Sequence, residues 1–385
     1  MCFDHGWGYS TNIMDHQLQG LIKEKLHLDQ KTIESIFIAV HNYNDTPMYR
    51  FKYPFGKIIK IIQSAYPSLP TKEIMKYCSP FLHRDMPSEI FHKALDFARI
   101  SKRIALAGSG EPLLTTNFSE KLHEISRVAP TAEISLLTNG LLLTTRKYVE
   151  DIMSSLSLLT ISINGVSTYE KIMPPARFEG ILNNLEIIKT VKQKLKKPPQ
   201  TCLNFVIVKD NICDIVRITE VAIKFKFDRL LFSWQHFDIK EQNVQAIPDG
   251  SAQMKQVLLL LEQAELLALK NNLQIIYSEH RPLLQKKDPP AAAPTTSKKS
   301  AEQPIVCKKP WQEVTISSAG KVQLCCVKAT IIGTLETGDF ESIWQGEEAN
   351  QYRQGILTGN YHNVCKTCHF VGRHTDNFIR SSTNK

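Results

Sequence analysis

RIALAGSGEPLLTTNFSEKLHEISRVAPTAEISLLTNG, residues 103–140, decides the class of fold. RIALA (103–107) and EISLLT (133–138) are short, continuous apolar runs, the pattern of strands buried on both faces of a sheet. FSEKLHEISRV (118–128) between them has a helical pattern. Strand, helix and strand in that order predict parallel strands covered by helices.

The same rhythm runs outward in both directions. Further apolar runs are KIIKII (57–62), SLLTISI (157–163), LNFVIV (203–208) and RLLFSW (229–234). The intervening helical patterns are MPSEIFHKALDFA (86–98), TRKYVEDIMSSL (145–156), ILNNLEIIKTVKQKL (181–195) and ICDIVRITEVAIKF (212–225). Ile181, Leu185, Ile188 and Val191 fall on one helical stripe, and so do Ile215, Ile218, Ala222 and Phe225. Six such units predict an α/β barrel or a doubly wound sheet, and periodicity alone does not choose between them. Either places ligands at the C-terminal ends of the strands.

A seventh run, LQIIYSE (273–279), follows a helix-like stretch over 251–271. KDPPAAAPTTSKKSAEQP (287–304) has nothing to bury and reads as a linker. Residues 1–57 are the least readable, with a short helix expected from Leu18 to Leu28 and a strand at TIESIFIAV (32–40). The expected organisation is therefore an extension of unclear role (1–57), a barrel-like domain (58–286), the linker (287–304) and a cysteine-rich domain (305–385).

Composition narrows the function classes. Of 385 residues, 42% are hydrophobic and 22% charged, as in soluble globular proteins. No apolar run approaches the roughly 18 residues needed to span a bilayer. MCFDHGWGYSTNIMD (1–15) lacks the basic flank and apolar centre of a secretory signal, so the expected location is cytoplasmic. The net charge of +9 raises the question of nucleic acid. Much of that excess sits in KTVKQKLKKPP (189–199), SKK (297–299) and KK (308–309), runs without interleaved aromatics. Solvated helix ends and linkers account for them, and nucleic acid is not the expected partner.

Five of the nine cysteines, Cys307, Cys325, Cys326, Cys365 and Cys368, lie in the last 80 residues. In a protein expected in the cytoplasm such clustering points to metal or redox chemistry rather than disulfides. Twelve residues separate Cys307 from Gly320, four more lead to Cys325, and Cys365 and Cys368 form a Cys-x-x-Cys pair. Four thiolates so spaced suit a tetrahedral zinc site or an Fe4S4 cube. Gly320 suits a tight hairpin leading to Cys325, whereas Cys326 would point the other way along a strand. Cys365-Lys-Thr-Cys368-His369 also matches the c-type haem attachment motif, which leaves the other cysteines unexplained.

This spacing resembles the SPASM/Twitch module, together with Ile332-Gly333, Ser342-Ile343-Trp344 and Arg353 between the last two cysteine groups. No cysteine follows Cys368, which fits the shorter form with one auxiliary cluster. Upstream, Gly108-Ser109-Gly110-Glu111-Pro112 at a strand end resembles the Gly-Gly-Glu-Pro motif of radical SAM enzymes. It fails as a dinucleotide fingerprint because Leu113 stands where a third glycine is needed. Thr138-Asn139-Gly140, Ser162-Ile163-Asn164-Gly165 and FVIVKDN (205–211) resemble later parts of the same family in the same order. The resemblance covers about residues 57–240 and 307–370. It implies a partial (β/α)6 barrel followed by a small iron–sulfur domain. It also implies a [4Fe-4S] cluster on Cys307, Cys325, Cys365 and Cys368. The S-adenosylmethionine site would then lie at Gly108, Ser109, Gly110, Glu111, Ser162 and Asn164, with a solvated loop acid as the other reading of Glu111.

One motif departs from the family. Radical SAM enzymes carry Cys-x-x-x-Cys-x-x-Cys after the first strand, and here Thr71 and Met75 stand at the first two positions. Cys78 alone remains, preceded by Tyr77 at the usual aromatic place. One thiolate does not hold a cube, and thioether and hydroxyl are poor substitutes for anionic sulfur. Cys78 is either a residual metal ligand or a relic packed as a small hydrophobe. The expectation is a degenerate family member with impaired radical chemistry, acting on or binding a peptide, a small molecule or a protein partner. The alternatives are an active oxidoreductase or maturase that recruits another ligand, such as Cys2 or a histidine, and a zinc-stabilised binding protein.

Overall fold

Each apolar run from 103 to 279 becomes a strand in the computed structural model. The model describes residues 2–4, 27, 29, 32, 62–70, 85–107, 111–173, 176–234, 247, 250–278, 305–325, 331–360, 365 and 378–380. The chain divides into two compact units, Met1–Thr116 with Ala301–Lys385, and Asn117–Ser300. The first begins with β1 (Cys2–Asp4), α1 (Ser88–Arg99) and β2 (Arg103–Leu106). The second holds α2 (Phe118–Val128), β3 (Glu133–Thr138), α3 (Arg146–Ser154), β4 (Leu158–Ser162) and the short α4 (Tyr169–Ile172). It continues with α5 (Phe178–Lys194), β5 (Gln200–Ile207), α6 (Ile215–Lys224), β6 (Arg229–Trp234), α7 (Ala252–Lys270) and β7 (Gln274–Tyr277). The first unit resumes with β8 (Ile305–Cys307), α8 (Lys309–Gln312), β9 (Thr315–Ser317) and β10 (Lys321–Gln323). It ends with β11 (Ile331–Thr334), α9 (Phe340–Trp344), α10 (Glu347–Thr358) and β12 (Phe378–Arg380).

In the second unit β3 to β7 lie side by side in chain order, every neighbouring pair parallel. Parallel neighbours need a crossover, and helices supply it between each pair. Both stripes read from the sequence are buried, Ile181, Leu185, Ile188 and Val191 on α5, and Ile215, Ile218, Ala222 and Phe225 on or just after α6. Each of these side chains except Ala222 contributes about 1.5–3 kcal/mol when fully removed from water. Phe205 and Phe232, on adjacent strands, meet edge to face with centroids 6.0 Å apart. Thr145 and Ser251 cap α3 and α7, their hydroxyls accepting from the N–H groups of Tyr148 and Met254 at 3.4 and 3.0 Å.

In the first unit the sheet runs β11-β10-β9-β1-β2. β1 is parallel to both its neighbours, with Cys2 opposite Ala105 of β2 and Thr315 of β9. Periodicity gave no hint of this role for residues 2–4, a strand too short to show a pattern. β9 and β10 form the expected hairpin, closed by Gly320 at φ +77° with its N–H donated to Ser317 at 2.9 Å. Gly333 on β11 allows α9 to approach closely, for a Cβ there would stand 2.9 Å from Ile343 Cγ1. α1 packs on α9 through Phe97 and Phe340, edge to face at 4.6 Å, while Lys93 Nζ donates to the Leu335 carbonyl at 2.9 Å.

Several expectations fall outside the described residues. They are the helix at 18–28 except His27, the strand at 32–40 except Thr32, Thr71, Met75, Tyr77 and Cys78, Gly108 to Gly110, the linker, Cys326 and Cys368. Of KIIKII only Ile62 is described, and it is buried and helical rather than extended. No described helix is long and apolar enough to cross a membrane.

Candidate functional site

The C-terminal cysteines are delivered by separate elements. Cys307 ends β8, whose backbone pairs with β12, and Cys325 follows the β9–β10 hairpin by two residues. Cys365 lies beyond α10 and is reached by it, with Tyr352 Oη 2.8 Å from Cys365 Sγ. None of the three is in a disulfide. Burial pushes the Cys307 thiol up to about 11, and the charges of Cys325 and Cys365 add to this against a hydrogen bond from the Lys309 N–H. Burial also raises the Tyr352 phenol, followed by Cys365, Cys325 and Cys307. The three sulfurs and the phenol thus lie within one electrostatic neighbourhood. Among the described residues, no three His, Cys, Asp or Glu side chains close tightly enough to hold a single metal ion.

Arg353, next to Tyr352, holds this wall in place. Its Nε donates to the Pro310 carbonyl at 3.1 Å and its Nη1 to the Trp344 carbonyl at 2.7 Å. The guanidinium stacks on the Trp344 ring at 4.5 Å. Nη2 is buried without a hydrogen-bond partner among the described residues. Pro310 lies in α8, three residues beyond Cys307, so Arg353 couples that segment to the helix carrying Tyr352.

The other candidate lies at the C-terminal ends of β4, β5 and β6. Asn204 Nδ2 donates to Ser162 Oγ at 3.3 Å, and its Oδ1 accepts from Ser233 Oγ at 2.8 Å. Asn164 Oδ1 accepts from the Val206 N–H at 3.1 Å, and its carbonyl accepts from Asn211 Nδ2 at 2.9 Å. Asp214 is fully buried and clamps the loop after β4. It accepts from the N–H groups of Val166, Ser167 and Thr168 and from both hydroxyls, Ser167 Oγ at 2.6 Å and Thr168 Oγ1 at 2.8 Å. Burial alone would raise its carboxyl, but these hydrogen bonds outweigh burial and hold it at about 2. Ser162 and Asn164 were expected from the sequence. Asn211 ends the FVIVKDN run singled out above, whereas Asn204, Ser233 and Asp214 were not expected, although a polar residue inside each of LNFVIV and RLLFSW was a signal available to reading.

Glu111 belongs to the first unit. Its Oε1 accepts from the Leu113 N–H at 3.1 Å and caps the turn Pro112–Leu114. In the Thr138-Asn139-Gly140 turn, Thr138 Oγ1 and Asn139 Oδ1 accept from the N–H groups of Gly140 and Leu141. Buried Asn184 donates to the Gly140 carbonyl at 2.9 Å, so this motif has a structural use of its own.

Residues 307–369 match the SPASM family model, described as an iron–sulfur cluster-binding domain. No curated protein matches the chain in sequence. Native anSMEcpe with bound AdoMet and Cp18Cys peptide is 16% identical at a TM-score of 0.50, over 76% of this chain and 82% of that one. A histidine-tagged form of anSMEcpe with bound AdoMet is also 16% identical at 0.50, over 75% of each. Streptococcus suis SuiB is 14% identical at 0.47, over 70% of this chain, which spans only 61% of SuiB. The fold is the α/β architecture expected from the sequence, a partial (β/α)6 barrel of radical SAM type with a C-terminal SPASM domain.

Proposed function

We propose that this chain, a member of the SPASM subgroup of the radical SAM superfamily, holds one auxiliary [4Fe-4S] cluster on Cys307, Cys325, Cys365 and Cys368. The observation that carries this is that Cys307, Cys325 and Cys365, the last in contact with Tyr352, all lie inside the segment that matches the iron–sulfur model. The donor set fits. The charges of Cys325 and Cys365 add to the pKa of the half-buried Cys307, and a cation that accepts thiolates relieves that repulsion. A cube offers each of four ligands a separate iron, and the matched segment supplies Cys307, Cys325, Cys365 and Cys368. When bound, such a cluster supplies one-electron transfer or an iron site for a substrate atom. The chain's own residues supply the frame: β8 presents Cys307, the Gly320 hairpin leads to Cys325, and Arg353 fixes α10 against α8, which follows Cys307.

The radical chemistry of the family is impaired in this reading, because Thr71 and Met75 replace two of the three thiolates that leave an iron open to S-adenosylmethionine. In the same reading Gly108, Ser109, Gly110, Glu111, Ser162 and Asn164 are the residues that would take S-adenosylmethionine. The function is then binding or assisted modification of a peptide or small molecule, and the peptide bound by anSMEcpe favours a peptide.

Anaerobic purification with iron, sulfide and zinc counts, followed by reduction in the presence of S-adenosylmethionine, tests all of this. About four irons and four sulfides per chain, as one cubane requires, without cleavage of S-adenosylmethionine are expected. About eight irons with 5′-deoxyadenosine formation would restore an active oxidoreductase or maturase. One zinc without sulfide would leave a zinc-stabilised binding protein.

A further inference from the structure

We propose that Tyr352 donates a hydrogen bond to the sulfur of Cys365 and, through it, raises the reduction potential of the cluster. The inference rests on the cluster reading above and goes beyond it by giving a non-ligand side chain a part in setting the redox chemistry.

The phenol oxygen stands 2.8 Å from Cys365 Sγ, and Tyr352 is more than nine-tenths buried, 8% of its surface remaining exposed. With a thiol at Cys365 either atom can donate. With a cluster-bound thiolate the sulfur has no proton, so the only donor of the pair is the tyrosine O–H. Hydrogen bonds to ionised acceptors are the strong ones. Reduction adds an electron whose charge spreads onto the sulfur ligands, so a donor aimed at sulfur stabilises the reduced cluster more than the oxidised one.

Placement supports a specific contact rather than a chance one. Tyr352 lies on α10, whose rotation is fixed by the adjacent Arg353 through Pro310 and Trp344. Arg353 and the cysteine ligands would lock the phenol into one direction. A side chain so held loses little entropy on making the bond. It is a positioning and tuning residue, not a ligand.

Tyr352→Phe removes the donor and keeps the ring. The test is a mediated redox titration of the anaerobically purified full chain, followed by electron paramagnetic resonance, with iron and sulfide counted in the same samples. The parent's iron and sulfide decide the cluster reading by themselves. With a cluster present in both proteins, the expected result is a lower potential in Tyr352→Phe. About a tenfold shift toward the oxidised form corresponds to about 59 mV for one electron. An unchanged potential at equal iron content would overturn the proposal and leave the cluster reading intact. If Tyr352→Phe loses its iron, Tyr352→His restores a donor on a ring. Recovered iron with a potential nearer the parent's supports the hydrogen bond, and loss of iron in both variants overturns it in favour of packing.

Discussion

The polar ends of β4, β5 and β6 and the thiol neighbourhood beside α10 handle buried polar atoms in opposite ways. At the strand ends Ser162, Asn164, Asn204, Asn211 and Asp214 each meet a complement, with Asp214 accepting from three N–H groups and two hydroxyls. The carboxyl is driven down to about 2 by partners that favour its charge. Beside α10, Cys307 is driven up to about 11, by burial first and then by the charges of Cys325 and Cys365. One region completes itself, whereas the other gathers groups that disfavour one another's ionisation. A self-satisfied network is scaffold, and thiols that disfavour one another's ionisation are ionised together only when a cation accepts them.

The largest effect that can break this contrast is expected in the thiol region. Cys365→Ala with Cys368→Ala is expected to abolish cluster iron and sulfide while leaving the second unit's secondary structure intact. Unchanged iron would show that these cysteines are not ligands and would remove the contrast.

At the strand ends, Asp214→Ala leaves buried N–H and hydroxyl donors without their acceptor. A loss of about 3 kcal/mol is expected, read from urea unfolding. Its pH dependence has a definite sign. The folded carboxyl lies below its ordinary value of 3.8, so its contribution is fully present above about pH 4 and fades as the pH falls through about 2. The parent should therefore lose about 2 kcal/mol over that range that Asp214→Asn does not lose. Parallel acid profiles for the two proteins would mean the clamp carries no net charge stabilisation.

Arg353→Met sharpens the comparison from the thiol side, since Arg353 is scaffold within the reactive region. Leaving the Pro310 and Trp344 carbonyls unpaired is expected to cost about 2 kcal/mol, measured as a lowered unfolding midpoint, together with reduced iron retention. Normal iron retention in a destabilised variant would separate the support of α10 from the cluster. The smallest effect is expected for Ser233→Ala, about 1 kcal/mol, because it removes a single hydrogen bond to Asn204.

Much of this was legible in the residues. β3 and β6 occupy the runs EISLLT and RLLFSW, and α2 coincides with FSEKLHEISRV, because short apolar strands and amphipathic helices each impose a local pattern, although burial alternates along β3 and β6 and Leu137 is exposed. Gly320 was readable as a hairpin because its positive φ suits few other residues. Ser162 and Asn164 were singled out for a ligand, and each is engaged by hydrogen bonds within the unit, to Asn204 and to Val206. Asp214 escaped because its partners lie 46 to 48 residues away and no local period links them.

The sequence by itself determined the order of strands and helices and the cysteine spacing, since both are written over short distances along the chain. Tertiary structure alone decided that residues 2–4 would enter a sheet between β2 and β9, that Asp214 would close the loop after β4, and that Tyr352 would reach Cys365. Those contacts depend on where separately formed elements pack. Period and spacing fix what each element is, whereas burial against distant partners fixes which of its side chains meet.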